Sequence, residues 1–143
     1  AYLSDLEEAV IHVLVQAGLK PTRDDRNTGV WLPTSGGLPP RKVCSIGIAC
    51  RKWVTWHGIA LNVCPDLTGF QSIQPCGMDQ GVITRLCDHL DPCPSMDTWR
   101  QQLSHALAKQ LRVQTPSSER FESVAQCCER YKLDLPPDPP PSL

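Results

Sequence analysis

Apolar positions recur every three to four residues near the start of the chain. Leu6, Val10, Val13, Leu14 and Ala17 fall on one stripe, which predicts an amphipathic helix over residues 4–17 packed on a sheet. Ser4-Asp5-Leu6-Glu7 has the form of a capping box, with Ser4 as N-cap and Glu7 reaching back. Gly18 ends the helix and Pro21 prevents its renewal. The pattern then shortens its period. Gly29-Val30-Trp31-Leu32 predicts a short strand, and residues 34–40 a Gly- and Pro-rich loop. Residues 41–50 and 53–63 predict two more strands, joined through Arg51-Lys52 as a hairpin. Pro65 introduces a helical turn over residues 66–70. Residues 97–111 predict a second helix, capped by Asp97, with Trp99, Leu103, Ala106, Leu107 and Leu111 on its stripe. Residues 117–133 predict a third helix carrying Phe121, Val124 and Cys128. The Pro-rich end, residues 134–143, cannot form a packed element and reads as a disordered or extended tail, either inert or a polyproline ligand.

Length and charge narrow the picture. At 143 residues the chain suits one domain with a modest core. Its 14 basic and 15 acidic side chains give a formal net charge of −1, which argues against a binder of nucleic acid or of an anionic membrane. No apolar run approaches the ~18 residues of a membrane span. The first residues lack the basic region of a signal peptide, and a chain that opens at Ala1 almost directly into a helix reads as a fragment or processed piece. Eight cysteines are present, but no C-x-x-C pair, and the four histidines, His12, His57, His89 and His105, are scattered. Reduced thiols are therefore expected rather than disulfides or a structural zinc site.

Candidate chemistry concentrates between Lys42 and Gly77. A thiol attacks a carbonyl as its thiolate, and at an ordinary pKa of about 8.5 only roughly 3% of a cysteine is ionised at pH 7. A nearby ammonium that lowered the pKa by about 1.5 units would bring the thiolate to roughly half. Lys42 would supply that charge to Cys76 if the fold brought them together across 34 residues (76 − 42). Pro75 and Gly77 suit a tight turn presenting the thiol, and backbone N–H groups after such a turn can hold an oxyanion. From spacing alone, a buried small thiol and a solvated surface lysine is the favoured reading. His57 fits an interior histidine or a site residue.

The run resembles the octanoyltransferases of lipoate synthesis, the lipoyl(octanoyl) transferase family. Thr28-Gly29-Val30-Trp31, Lys42-Val43-Cys44-Ser45-Ile46-Gly47, Thr55-Trp56-His57-Gly58 with Ala60-Leu61-Asn62, Asp66-Leu67 with Phe70, and Pro75-Cys76-Gly77 stand in that family's order and spacing. Beyond Gly77 the likeness weakens: Arg85 departs from the Val-Thr-Ser-Leu-like run of the family. The Arg-Gly-Gly and His-Gly-Pro-Gly segments that complete the family's pocket have no counterpart here, so the resemblance is to the C-terminal half to two-thirds of such an enzyme.

The resemblance implies an α+β fold, a mixed sheet backed by helices as in biotin and lipoate protein ligases, incomplete at its N-terminal side. It implies a catalytic domain over residues 1–133 that moves an octanoyl group from octanoyl-acyl carrier protein to a lysine of lipoyl domains. Cys76 would carry the acyl group, and Lys42 would hold its thiolate. Ser45, Ile46, Gly47, Trp56, His57 and Gly58 would line the acyl pocket, all facing one cavity with Cys76. The glycines on adjacent strands agree with an apolar slot. A Cys–His pairing through His57 fares poorly, because the family partners its cysteine with a lysine. No metal and no cofactor are implied, since a thioester is already activated. The implied partners are octanoyl-acyl carrier protein, the lipoyl domains of 2-oxoacid dehydrogenase complexes and the glycine cleavage H protein. No nucleic acid or membrane partner is implied, and the chain would act as a monomer in a bacterial cytoplasm or in a mitochondrial or plastid matrix. Two other readings stand beside this one: a non-catalytic remnant that binds carrier or lipoyl domains, and an ATP-dependent lipoate ligase, which would not use a cysteine at this position. With pocket segments absent, the chain alone is expected to be a poor catalyst.

Overall fold

The computed structural model describes residues 2–25, 27–72, 81–113 and 124–131. The first apolar stripe forms helix α1 (Tyr2–Gln16), which buries Leu6, Ala9, Val10, Val13 and Leu14. These side chains pack on strand β2 (Asn27–Leu32) and strand β3 (Arg41–Arg51), where Val30, Leu32, Val43 and Cys44 are fully or almost fully buried. Helix α2 (Met96–Leu111) runs along α1 and inserts Trp99 into the same core. The two helices are antiparallel, since Gln110 near the end of α2 donates to Asp5 Oδ1 near the start of α1 at 3.3 Å. Each aliphatic side chain taken out of water here contributes about 1.5–3 kcal/mol.

The sheet is four-stranded and antiparallel in the order β1-β2-β3-β4, with β1 at Thr22–Asp24 and β4 at Val54–Leu61. Strands β3 and β4 form an unbroken hairpin from Cys44 opposite Leu61 to Arg51 opposite Val54. Its turn is Lys52-Trp53, one residue later than expected, with φ of 51° and 66°. Two consecutive left-handed residues match the twist of a hairpin. One isolated parallel bridge joins Ile83 to Lys42 of β3. The expected α+β arrangement of a sheet backed by helices is the one observed, but the four strands are all antiparallel rather than mixed.

Three local expectations change. Helix α1 begins at Tyr2, so Ser4 sits inside its first turn and Glu7 does not reach back; its carboxylate turns inward, and the residue is 9% exposed. Helix α2 starts one residue early, capped by Ser95, whose Oγ accepts the Thr98 N–H at 3.2 Å, while Asp97 pairs with Arg100 at 2.9 Å. The turn expected over residues 66–70 is a 3₁₀ helix at Thr68–Ser72, where Asp66 accepts from the Thr68 amide and hydroxyl at 2.9 and 2.8 Å. Of the third helix, α3 (Val124–Tyr131) is described, and the Pro-rich tail lies outside the described residues.

Reduced thiols throughout were expected, and Cys64 and Cys87 correct that: they are joined in a disulfide. The Leu86 N–H donates to Asn62 O at 2.8 Å and the Cys87 N–H to Val63 O at 3.0 Å, which brings the two Cα atoms to 5.5 Å. That separation is the usual one for a bridge. Cys44, Cys50 and Cys93 are free. No helix among the described residues is long and apolar enough to cross a membrane.

Leu14, fully buried between α1 and the sheet, provides a test of this core. Leu14→Ala is expected to lower stability by about 2–5 kcal/mol through lost burial and the cavity left behind. Urea unfolding followed by tryptophan fluorescence checks it.

Candidate active site

The site is built outward from Lys42. In register, Trp31 of β2 stands opposite Lys42, and Val30 stands opposite Cys44. One residue of β2 is thus followed by the next while β3 advances by two, which leaves Val43 as the extra residue of a β-bulge. Side chains alternate along a strand, so Trp31 and Val30 take opposite faces. Lys42 goes with Trp31, and Cys44 goes with Val30 into the helix-backed core. Without the bulge Lys42 would share a face with Cys44.

Lys42 is only 5% exposed. Its Nζ lies 4.9 Å from the centre of the Trp31 ring, and Trp31 Nε1 donates to Asn27 O at 3.2 Å, which fixes the indole. A cation over a ring in a dry setting is worth about 2 kcal/mol or more. The backbone is held as well. The Lys42 N–H donates to Val82 O at 2.7 Å, and Lys42 O accepts from the Thr84 N–H at 2.9 Å. Thr84 is in turn tied by Asn62 Nδ2 to its carbonyl at 3.1 Å and by His89 Nε2 to its hydroxyl at 2.9 Å.

Gly29 makes room for the lysine stem. It has φ +131°, and a Cβ there would overlap the Cys44 carbonyl and come within 3.3 Å of Lys42 Cε. Its N–H donates to Glu7 Oε1 at 3.1 Å in a buried bond. Glu7 Oε2 accepts from Arg23 Nε of β1 at 3.2 Å, and Arg23 also pairs with Glu8. Chemically, this places an ammonium on a mostly dehydrated surface, where it can hold an anion more firmly than in water. Cys44, next along the strand but one, is not a candidate nucleophile: burial pushes its thiol up to about 12, partly offset by a hydrogen bond with the Ala60 backbone and by the charge of Lys42.

The other expected site residues are divided by the pleat. Ser45 and Gly47 follow Cys44 on alternate positions and share the Lys42 face, together with Ala60 and Gly58, which stand opposite them. Side chains at Gly47 or Gly58 would meet open space among the described residues. Ile46 takes the other face and, with Ile59 opposite, packs against the core. Trp56 and His57 lie near the hairpin tip, exposed, with ring centroids 6.2 Å apart and His57 at φ +71°. The six residues therefore do not all face one cavity, because consecutive strand residues cannot. Pro75, Cys76 and Gly77 lie outside the described residues.

The family profile of the lipoyl protein ligase A/B catalytic domain matches residues 1–108. The chain belongs to this lipoyl protein ligase A/B family. An octanoyltransferase of Cytophaga hutchinsonii is 41% identical over 102 residues, covering 71% of this chain and 42% of that protein. An octanoyltransferase of a Nostoc species is 52% identical over 77 residues, covering 54% of this chain and 32% of that protein. One of Synechococcus elongatus is 36% identical over 126 residues, covering 85% and 50%. The chain thus spans half or less of these relatives' length. A bi-partite lipoate protein ligase of Thermoplasma acidophilum shares the fold, with a TM-score of 0.63 at 20% identity over 84% of this chain and 48% of that one.

Within this family fold, sequence reading missed Glu7 and Arg23. The signal at Glu7 was an acidic residue on the apolar side of α1, but the capping-box pattern supplied a local explanation for it. The role of Trp31 had a clearer trace, since it stands two residues after Gly29 in a strand that meets Lys42.

Cys44 carries a prediction on pH. Its folded thiol is raised, so the stability it contributes is complete below the unfolded value of about 8.5 and is lost as pH rises from there toward about 12. Over that window each pH unit should cost roughly 1.4 kcal/mol. Urea midpoints measured from pH 8 to pH 10 should fall more steeply for the unaltered chain than for Cys44→Ala; equal slopes would show that this thiol is not the group responsible.

Proposed function

We propose that this chain is the part of an octanoyltransferase that carries the nucleophile, with residues 1–133 as its catalytic domain and residues 134–143 as a tail. The observation that carries the reading is the buried ammonium of Lys42, locked from both sides of β3. Ile83 lies beside Lys42 and is seven residues from Cys76 (83 − 76). A separation of 34 residues along the chain thus shrinks to a short span from a fixed neighbour, which supports the pairing of Lys42 with Cys76. The resemblance of Pro75-Cys76-Gly77 to the family's motif supports the thiol as nucleophile.

The Cys76 thiolate attacks the carbonyl carbon of an octanoyl thioester on acyl carrier protein. The carrier's thiolate leaves and takes up a proton, and octanoyl-Cys76 remains. The amine of a lysine on a lipoyl domain then attacks the same carbon, the amide forms, and Cys76 departs as thiolate while the amine's proton is released. Lys42 stabilises the thiolate before the first attack and after the second, and its ammonium passes the proton. Ser45, Gly47 and Gly58 form one wall of the acyl slot by register, Ile46 supports that wall from the core side, and Trp56 and His57 stand at the hairpin end. The acceptors are lipoyl domains of 2-oxoacid dehydrogenase complexes and the glycine cleavage H protein, met by a monomer. The reaction belongs in a bacterial cytoplasm or an organelle matrix; reducing conditions there would open Cys64–Cys87, and the backbone bonds between residues 62–63 and 86–87 would still hold the two ends together.

Incubation with octanoyl-acyl carrier protein followed by peptide mass spectrometry tests the reading. A mass gain of one octanoyl group is expected on Cys76, none in Cys76→Ser, and a rate about tenfold or more lower in Lys42→Met, from the loss of thiolate at pH 7. An acyl group found on another cysteine, or none, would overturn it.

A further inference from the structure

We propose that Glu7 is a positioning residue for Lys42. The inference rests on the pairing of Lys42 with Cys76 proposed above and adds how the lysine is held. Glu7 is buried on the sheet-facing side of α1, where an acidic residue has no reason to be unless it is bound. Its Oε1 accepts the buried Gly29 N–H at 3.1 Å, and its Oε2 accepts Arg23 Nε at 3.2 Å. Gly29 in turn is the floor on which the Lys42 stem rests, with Cε 3.3 Å from where a Cβ would stand. The Trp31 ring takes the ammonium on the same face. A left-handed glycine with an unbonded amide would be free to move; the carboxylate fixes it, and so fixes the slot. The chain of contacts runs from the carboxylate to the Gly29 amide, from Gly29 to the lysine stem, and from the stem to the charge.

The charged and titratable groups near this slot come from each element packed there. Glu7 lies on α1 and Arg23 on β1, the Cys44 thiol lies on β3 itself, and His89 approaches through Thr84 of the strand segment beside Lys42. Glu7 is the one that touches the floor of the slot.

The test uses the complete 143-residue chain and the iodoacetamide alkylation rate at Cys76 between pH 6 and pH 9.5, with the site read by peptide mass spectrometry. Lys42→Met should slow the reaction at pH 7 by about tenfold and move its pH profile toward an ordinary thiol. Glu7→Ala should reproduce part of that, roughly three- to tenfold with the same direction of shift, because the ammonium is present but misplaced. Glu7→Gln keeps a carbonyl acceptor for the Gly29 amide and should stay within about twofold of the unaltered chain. Leu14→Ala, a core change on the same helix, should leave the profile where it was. A profile shifted by Lys42→Met and untouched by Glu7→Ala would overturn the positioning role and leave the proposed function standing. A profile untouched by Lys42→Met would overturn both. Should Glu7→Ala not fold, Glu7→Asp retains the charge but is a methylene too short for the Gly29 amide; a rate equal to that of the unaltered chain would overturn the role, and a slowed one supports it.

Discussion

A lysine inside a sheet is the constraint on which the rest of this molecule depends. Taking an ammonium out of water is costly unless its surroundings replace what water gave. Here the replacement is assembled from several directions. The indole of Trp31 faces the charge, the missing side chain at Gly29 makes room for the stem, and both backbone groups of Lys42 are bonded to the strand segment at residues 82–84. The β-bulge at Val43 is what makes this compatible with a core. It turns Lys42 to the face away from the helices while Cys44, only two residues on, still enters the apolar cluster.

The same bulge explains what could be read from the sequence and what could not. Helix α1, the hairpin and α2 follow from local period, because their apolar faces are set by neighbours along the chain. The bulge is a register event between two strands and leaves no trace in either one alone. Strand β1 leaves no trace for a related reason: Thr22-Arg23-Asp24 has no apolar alternation, and it is a strand through its pairing with β2, with Arg23 also reaching Glu7 and Glu8 on the helix. At Glu7 the Ser-x-x-Glu pattern is a local signal for a cap, whereas its partners in the fold are 16 and 22 residues away. The pairing of Cys64 with Cys87 depends on backbone bonds between residues 62–63 and residues 86–87, which spacing does not reveal.

The candidate site was legible in a different sense. Its residues were named by resemblance, and structure then sorted them by physics that the resemblance does not carry. Runs such as Ser45-Ile46-Gly47 look like single motifs in one dimension. In a strand the middle residue must leave by the other face, so Ile46 serves the core whatever its neighbours do. Beside Lys42 that face of the hairpin carries small residues, Ser45, Gly47, Gly58 and Ala60, and farther along, toward the tip, the register brings Ala49 and Trp56 onto it.

That composition bears on how an acyl slot could work on this fold. By register a chain laid along this face would pass from backbone and small side chains near Lys42 to the Trp56 indole toward the hairpin tip. Discrimination by chain length would then fall to the Trp56 end and to whatever closes the slot on its other side. Near Lys42 strand β3 is paired along both edges, and beyond Cys44 it is paired with β4 alone among the described residues. Pairing on both edges beside the ammonium favours precision at the reacting carbon over precision at the tail. This is the arrangement in which positioning of the thioester, worth up to about 7–11 kcal/mol of a barrier, would be concentrated at the lysine end.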